Sequence, residues 1–423
     1  MVSCQRLPRS QLGRLTAPDS FRWATGIEDT FIVDPWPKSG RTLDEYALTD
    51  HYGQWRGDVD RVAELGVDCA RWGVPWHLVN PAHGRWTWRW TDRVIERLLA
   101  VGVEPIVDLV HYGVPPWIAD GFLSPDFPAR MAEYAARVAE RYAGRLRWYT
   151  PLNEPRIAAW YGGRLGWWPP YRRTWRGFVD VLVAACRGIV ATEEALRAVD
   201  PEIVCVHVDA TDVYRSPDPA LQGEVRLREG IVFLALDLVT GRVGDRHPLR
   251  AWLRAHGVGD ETLAWFAEHR IVPDVVGINL YPMYSSKVLL RRNGVLRVRM
   301  PYAAPSLVSR LARRYWTRYR RPVMVTETAA RGRRRRAWLH GSVAAVRRLR
   351  TRGVPVVGYT WWPMFSLVGW AYRQGRRSVS ASLLHMGLWD LTRDLERRRT
   401  PLVDAYRAIT ARGIDAVGRL TTS

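Results

Sequence analysis

The chain has 423 residues, of which 47% are hydrophobic, and this composition excludes a disordered protein. No apolar run approaches the roughly 18 residues that a membrane helix needs. The first residues also lack the apolar segment of a secretory signal, so we expect a cytoplasmic protein without membrane contact. The net charge of +21 does not indicate a nucleic-acid partner, because the arginines are scattered along the whole chain and form no single basic arm.

Short apolar runs of strand length alternate with longer helix-like segments along the chain. This alternation is typical of repeated βα units and a parallel sheet. Eight strands are predicted, at residues 21–26, 67–73, 103–110, 147–153, 203–209, 275–280, 323–327 and 356–362. Helices are predicted among the segments between and after them, at residues 58–65, 91–100, 128–142, 175–198, 338–352 and 402–412.

Eight strands, each followed by a helix, predict a single (β/α)8 TIM barrel with extended βα loops. We predict that the barrel spans residues 21–415, between an N-terminal extension at 1–20 and a short tail at 416–423. The alternative is a doubly wound sheet, which needs a glycine-rich phosphate loop after its first strand. That position holds the single glycine Gly26. The segment 282–321 remains open, because it can cover the mouth of the barrel or lie on the surface.

The predicted strands end in polar residues, and a barrel gathers such residues at one mouth. Two of these residues are Glu154 and Glu327, each at the end of an apolar run. Two facing carboxylates, one a proton donor and one a nucleophile or base, are the minimum requirement for cleaving a glycosidic bond. The sequence therefore predicts a glycoside hydrolase.

Several strand-end residues are suited to support these two glutamates. An arginine holds a neighbouring carboxylate ionised, so we pair Arg71 with Glu327 and expect Tyr281 to donate a second hydrogen bond to it. The other assignments are sugar contacts: Asn153 at the 2-hydroxyl, His111 at other ring hydroxyls and Trp362 as the floor under the sugar.

The order of these motifs resembles that of the family 1 glycoside hydrolases, which include β-glucosidases and 6-phospho-β-glycosidases. The resemblance runs over residues 21–409. Thr-Pro-Leu-Asn-Glu-Pro, ending at Pro155, is similar to the family's acid/base motif, and Val-Thr-Glu-Thr, ending at Thr328, is similar to its nucleophile motif. The segments around Arg71, His111, Asn279 and Trp362 resemble its sugar-site strands. The resemblance implies a retaining mechanism on β-linked small-molecule glycosides, with no metal or organic cofactor and with Asn279 in the sugar site.

The chain departs from the family at two sugar-binding positions. Counting from the first strand places Phe31 where the family carries a glutamine that grips two hydroxyls, and Gly369 replaces a hydroxyl-binding glutamate. We therefore expect ordinary glucosides to be poor substrates and a modified, deoxygenated or anionic sugar to fit better. The arginines of residues 331–336 and 373–377 are candidates for contact with an anionic sugar. Either Glu28 or Asp209 can supply a replacement hydrogen bond.

Three other functions remain open at the level of sequence. A non-catalytic carbohydrate-binding barrel would carry the two glutamates in unproductive positions. A transglycosylase would use the same covalent intermediate and pass the sugar to an acceptor other than water. A polyanion-binding protein, favoured by the net charge alone, ranks last. The sequence specifies neither the sugar nor the oligomeric state.

Overall fold

The structure is a computed structural model, which describes residues 20–416 together with Gly13 and Ala17. Eight parallel strands form a closed barrel, and this confirms the predicted (β/α)8 TIM fold. Each strand pairs with the next along the chain, and the eighth closes the barrel on the first. The strands are β1 (Arg22–Gly26), β2 (Cys69–Gly73), β3 (Glu104–Asp108), β4 (Trp148–Thr150), β5 (Val204–Ala210), β6 (Val275–Asn279), β7 (Val323–Thr328) and β8 (Val356–Trp361).

A long helix follows each strand. These helices are α1 (His51–Glu64), α2 (Arg89–Ala100), α3 (Phe127–Arg141), α4 (Trp175–Val199), α5 (Gln222–Val239), α6 (Ser306–Tyr319), α7 (Arg335–Arg350) and α8 (Pro401–Ala416). The six predicted helices overlap α1 to α4, α7 and α8. Helix α1 begins seven residues earlier than predicted, in a stretch that contains Gly53 and Gly57 and therefore has weak helix propensity. Shorter helices cover Glu45–Leu48, Trp76–Val79, Pro155–Ala159, Arg250–Ala255 and Asp260–Glu268.

Apolar side chains fill the interior of the barrel. This inner core consists of Ala24, Cys69, Ile106, Trp148, Val204, Val206, Val208, Val275, Met324 and Val357. A larger apolar cluster packs the helices onto the outside of the strands. Because the interior is filled, it offers no channel, and polar side chains can gather only beyond the strand ends. The cysteines Cys69, Cys186 and Cys205 are buried free thiols, and Cys4 lies outside the described residues.

Extended loops follow β1, β4, β6 and β8, and the shorter loop after β5 carries one further strand. The segment 282–321 forms an antiparallel hairpin, Ser286–Arg292 with Val295–Arg299, before it continues into α6. The hairpin joins strand Val213–Arg215 of the β5 loop in a three-stranded outer sheet. Two-stranded pairs occur in the β1 loop (Phe31–Ile32 with Leu43–Asp44) and in the β8 loop (Leu367–Val368 with Leu383–Leu384, and Trp389–Leu391 with Arg397–Arg399).

The predicted division of the chain stays a prediction. Residues 1–20 and 416–423, the predicted extension and tail, lie almost wholly outside the described residues. Among the helices that the structure describes, none has the length and apolar character that crossing a membrane requires.

Candidate active site

The mouth of the barrel brings together all nine side chains that the sequence proposed for the site. They form one connected network, in which every member touches at least one other. The members are Glu28, Arg71, His111, Asn153, Glu154, Asn279, Tyr281, Glu327 and Trp362. Eight are buried and Tyr281 is half-buried. They converge because parallel strands deliver their C-terminal ends to the same rim.

Glu327 lies in β7 and is held by a cation and a phenol. Arg71 Nη1 donates to Oε1 at 2.5 Å, and the Tyr281 hydroxyl donates to Oε2 at 2.7 Å. Burial raises the pKa of Glu327 above its ordinary value, but the Arg71 guanidinium opposes that rise. Of the two glutamates, Glu327 is therefore the one whose charged form has a direct counter-ion.

Glu154 has only neutral donors. Asn279 Nδ2 donates to its Oε1 at 2.8 Å, and the Tyr112 hydroxyl donates to its Oε2. Burial and the charge of Glu327 raise the pKa of Glu154 to about 7, although the hydrogen bonds from Tyr112 and Asn279 lower it. Its backbone is left-handed (φ 46°, ψ 64°), just before the helix Pro155–Ala159. Near neutral pH, Glu154 is thus the glutamate that can hold a proton.

Arg71 is fixed by a second carboxylate and an amide. Its Nη2 donates to Asp108 at the end of β3 and to Asn153 Oδ1, the latter at 2.7 Å. Asn279 Nδ2 donates to the same Asn153 oxygen at 3.2 Å. The amide nitrogen of Asn153 therefore faces His111 Nε2, 2.9 Å away. Both ends of the Asn153 amide are engaged inside the network.

His111 is also held by two carboxylates. Its Nδ1 lies 2.5 Å from Asp29 Oδ1 and 3.1 Å from Asp108 Oδ2. Burial lowers the pKa of His111, but the Asp29 and Asp108 charges outweigh it and hold the pKa well above its usual value. The Asn153 N–H that faces Nε2 opposes protonation, because that nitrogen must accept. We therefore place the ring proton on Nδ1, shared with the carboxylates. Burial raises the pKa of Asp29 to about 7, although the His111 charge lowers it.

Asp29, Asp108 and His111 are spaced closely enough to be considered as a metal site. Their donor set fits a metal poorly. His111 has both ring nitrogens engaged, Nδ1 by carboxylates and Nε2 by Asn153, so it has no free lone pair for an ion. Arg71 already pairs with Asp108, which places a fixed positive charge beside the cluster. The chemistry available here is that of an internal ion-pair cluster.

Comparison with known proteins supports the resemblance seen in the sequence. The model of the family described as "Glycosyl hydrolase family 1" matches residues 24–222. The chain is 32% identical to thermostable beta-glucosidase B of Thermobispora bispora over 168 residues, which cover 34% of this chain and 35% of that protein. It is 33% identical to a bifunctional beta-D-glucosidase/beta-D-fucosidase of Bifidobacterium breve over 146 residues, 31% of this chain and 32% of that one. The chain thus spans about a third of the length of these curated relatives.

A solved structure extends the likeness in fold. The family 1 β-glucosidase from Thermotoga maritima superposes with a TM-score of 0.81 at 19% identity, over 95% of this chain and 99% of that one. The chain is thus similar to glycosyl hydrolase family 1 over residues 24–222, and it shares the barrel fold of that β-glucosidase over nearly its whole described length.

The side chain that the segment after β1 presents to the mouth differs from the one expected by counting along the chain. Phe31 is buried in the loop against Tyr46, with ring centroids 4.9 Å apart. Glu28 instead reaches the mouth, where its Oε2 accepts from Trp362 Nε1 at 3.0 Å. Gly26 makes room for that indole, because a Cβ there would lie 2.0 Å from the Trp362 ring. Glu28 is therefore the polar group that β1 presents to the mouth.

A carboxylate from another loop lies beside Gly369, the second position at which the sequence predicts a changed sugar contact. Gly369 lies next to Val368, whose backbone N–H donates to Glu45 Oε2 at 3.0 Å. Glu45 comes from the β1 loop and is fully buried, and its Oε1 has no hydrogen-bond partner among the described residues. Burial and the charge of Glu28 raise the pKa of Glu45 well above its ordinary value.

Four aromatic residues pack together beside Glu154, and we call this cluster the aromatic wall. Its members are Tyr112, Tyr161, Trp168 and Trp370. Ring centroids within it lie 4.5 to 5.3 Å apart. Tyr112 connects the wall to the site through its hydroxyl bond to Glu154. The sequence analysis did not single out Tyr112, Asp108, Asp29 or Glu45. Tyr112 and Asp108 flank His111 after β3, and Asp29 follows Glu28, so adjacency to proposed residues was the available signal.

Three candidates from the sequence, Arg373, Arg331 and Asp209, do not join the network. Arg373 is fully buried and donates to the Asp34 and Trp167 carbonyls and to the Tyr171 hydroxyl, so it binds three loops together and has no N–H aimed at the glutamates. Arg331 is exposed and contacts Tyr284. Asp209 is buried near His207. Its charge adds to the rise that burial causes in the pKa of Cys186 in α4 and in the pKa of Tyr315 in α6. It therefore faces the helices.

Replacing Arg373 by methionine should destabilise the protein and loosen the mouth loops. The carbonyl of Asp34 and the hydroxyl of Tyr171 would lose the Arg373 donor, while the Trp167 carbonyl would keep its hydrogen bond from Gln374 Nε2 at 3.1 Å. Each group left unsatisfied in a buried place costs about 1–3 kcal/mol. We expect the free energy of unfolding in urea to fall by about 2–4 kcal/mol. Amide exchange should accelerate around both carbonyls. The matched control is Arg376→Met, in the same loop with an exposed side chain, and an equal loss in both variants would contradict this role.

Proposed function

We propose that the protein is a retaining β-glycosidase, with Glu327 as the nucleophile and Glu154 as the acid/base. The asymmetry between the two glutamates carries the proposal. Glu327 has the Arg71 counter-ion at 2.5 Å, whereas Glu154 is held by neutral donors and has a pKa of about 7. A glycosidase needs one carboxylate kept charged and one able to carry a proton.

In the first step, Glu154 gives its proton to the glycosidic oxygen while Glu327 attacks the anomeric carbon. The bond from that carbon to the leaving oxygen breaks, and an ester bond to Glu327 forms. Arg71 and Tyr281 hold the attacking carboxylate in a fixed orientation. The alcohol leaves with the proton, and Glu154 is left as a carboxylate.

In the second step, Glu154 acts as a base. A water molecule gives it a proton and attacks the anomeric carbon, the ester bond breaks, and Glu327 is restored as a carboxylate. An alcohol in place of water would give transglycosylation through the same intermediate. The Asn279 amide, which contacts both Glu154 and Asn153, is suited to keep the acid/base in register during both steps.

We propose that the sugar site departs from the usual glucose pattern and that ordinary glucosides are poor substrates. Glu28 and Trp362 stand at the end of β1 and β8 in place of the family's glutamine grip. His111 Nε2 is engaged by Asn153, so a sugar hydroxyl must compete with that bond. Both features alter which hydroxyls can be bound.

The test is covalent trapping. The protein is incubated with a panel of 2-deoxy-2-fluoro-β-glycosides that carry good leaving groups, and intact mass and peptide mapping locate any adduct. We expect a single sugar on Glu327 in the wild type and none in Glu327→Gln. An adduct elsewhere, or turnover of the parent glycosides with inversion at the anomeric carbon, would refute the retaining assignment. A folded protein that binds sugars and cleaves none would be the non-catalytic alternative.

Tyr112→Phe should move the alkaline limb of the profile of kcat/KM against pH to higher pH. In the proposed mechanism the activity falls above pH about 7, as Glu154 loses its proton. The Tyr112 hydrogen bond lowers the pKa of Glu154. Removing this hydrogen bond should therefore raise the pKa of Glu154 by about one unit, because a hydrogen bond to a charged group contributes about 1.5–3 kcal/mol. The shift should lie at the lower end of that range, because Asn279 still donates to the carboxylate.

The measurement is kcat/KM against pH for the wild type and Tyr112→Phe. The control is Tyr161→Phe, which changes the same aromatic wall without touching Glu154. A limb that stays in place in Tyr112→Phe, or moves equally in both variants, would show that Tyr112 only packs the wall.

A further inference from the structure

The charges in the mouth are unevenly paired, and this bears on the sugar that it accepts. The permanent cation in the network around the two glutamates is Arg71, and His111 shares its ring proton with two carboxylates. Arg71 is paired with Glu327 and Asp108, and His111 with Asp29 and Asp108. Both groups are therefore already engaged, and an anionic sugar would meet no free positive charge among the described residues of this network.

Apart from Glu154, the proposed acid/base, Glu28 is a carboxylate of the mouth network that has no cation partner among the described residues. Its oxygens accept from the Thr30 hydroxyl at 2.6 Å and from Trp362 Nε1 at 3.0 Å, and both donors are neutral. The residue is only 6% exposed. A buried carboxylate without a positive partner is unfavourable, and a bound cation relieves that cost. Glu28 is thus an acceptor that remains electrostatically unsatisfied.

A second carboxyl group lies near Glu28, because the charge of Glu28 adds to the rise that burial causes in the pKa of Glu45. Glu45 is fully buried, and its Oε1 has no hydrogen-bond partner among the described residues. Glu28 is joined to the nucleophile through two shared neighbours: Trp362 donates to Glu28, and the Arg71 guanidinium that pairs with Glu327 lies 4.9 Å from the centroid of the Trp362 ring. Glu28 therefore faces the same space as the nucleophile, where a sugar bound for catalysis would lie.

We infer that the sugar held in the mouth carries an amino group, so that the substrate is a β-glycoside of an amino sugar whose ammonium contacts Glu28. This inference rests on the proposed function and adds the class of substrate to it. An ammonium supplies N–H donors and the positive charge that Glu28 lacks. A hydroxyl supplies the hydrogen bond alone, and a uronic acid or sugar phosphate adds a repelled negative charge.

The experiment compares substrates that differ only in one group. Aryl β-glycosides of a hexose and of its 2-, 3-, 4- and 6-amino analogues are assayed with the same leaving group, beside the corresponding uronide. We expect one amino analogue to exceed the parent sugar in kcat/KM by about 10- to 100-fold, the usual gain of a charged over a neutral hydrogen bond. The uronide should be the poorest substrate of the set.

The charge-removing variant Glu28→Gln decides whether Glu28 is responsible. It keeps the size of the side chain, so the preference for the amino analogue should fall to near that of the parent sugar. The control is Glu104→Gln, at the opposite end of the barrel where β3 begins, half-buried and paired with Arg22 at 3.9 Å. It should leave the preference unchanged. No amino analogue preferred over its parent, or the same preference in Glu28→Gln, would overturn the inference.

A failure of the proposed function is distinguishable from a failure of this inference. If no glycoside is turned over and no sugar labels Glu327, the glycosidase assignment is wrong. The inference is then tested by binding. The dissociation constants of the methyl β-glycosides of the parent hexose and of its amino analogues are measured by calorimetry on the wild type and on Glu28→Gln. Tighter binding of an amino glycoside that is lost in Glu28→Gln supports it, and equal binding of the parent and amino sugars refutes it.

Discussion

Replacing Glu327 by glutamine should abolish turnover, with a loss of about 10⁴-fold or more in kcat for every β-glycoside that the wild type cleaves. The amide keeps the size of the side chain but cannot attack the anomeric carbon. Its contacts to Arg71 and Tyr281 leave the fold supported, so circular dichroism and the unfolding midpoint provide the check that the variant is intact. The loss should be the same for good and poor leaving groups, because both need the nucleophile.

Glu154→Gln is the matched variant, because it removes the acid/base and retains the nucleophile. The loss of kcat in Glu154→Gln should depend on the leaving group. It should be about 10²–10⁴-fold for an alkyl alcohol, which needs a proton, and far smaller for the first step with an activated phenol. Equal sensitivity to the leaving group in both variants would mean that the roles of the two glutamates are assigned wrongly.

Arg71→Met should cause the largest loss of stability among the site variants. Arg71 is fully buried between Glu327 and Asp108, and removing one partner of a buried ion pair costs about 3–5 kcal/mol, because the remaining charge is left without compensation. Without the guanidinium, the pKa of Glu327 rises further above its value in the unfolded chain. A carboxyl whose folded pKa is raised contributes stability below its unfolded pKa and loses it as pH increases through the folded pKa.

The difference in the free energy of unfolding between the wild type and Arg71→Met should therefore grow from acidic towards neutral pH. Urea unfolding at pH 5 and pH 8 measures it. Arg97→Met is the control: Arg97 pairs with Asp60 at 2.6 Å on the surface, with both side chains about half exposed, and an exposed pair contributes about 0–1 kcal/mol. A loss in Arg71→Met no larger than in Arg97→Met would refute the buried ion-pair account.

The barrel and the convergence of its strand-end residues could be predicted from the sequence because both depend on local patterns. Apolar runs mark the strands, and the parallel arrangement of the strands then delivers residues such as Arg71, Asn279 and Glu327 to one rim. Positions after a strand are less predictable. Counting placed Phe31 in the sugar site, whereas the chain turns within the loop and Glu28 is the residue that reaches Trp362.

Contacts between distant loops could not be predicted in this way. Glu45 meets Val368 across 323 positions of sequence, and Arg373 reaches Asp34 across 339. The sequence favoured Arg373 as a candidate for an anionic sugar because it lies in an arginine-rich run. Its burial depends on three loops closing over it, and no periodicity in one segment specifies that. The bond of Tyr112 to Glu154 likewise depends on how the β3 and β4 loops pack.

The backbone of Glu154 links the proposed chemistry to the history of the chain. A left-handed conformation costs a residue other than glycine about 1–2 kcal/mol, and Glu154 adopts one while its carboxyl is buried beside a like charge. Glycine or asparagine would fit that position with less strain. Selection for stability alone would therefore remove this glutamate, so a descendant that no longer needed proton transfer should lose it early. The residue at position 154 is consequently a sensitive marker of whether a related chain is still under selection for catalysis.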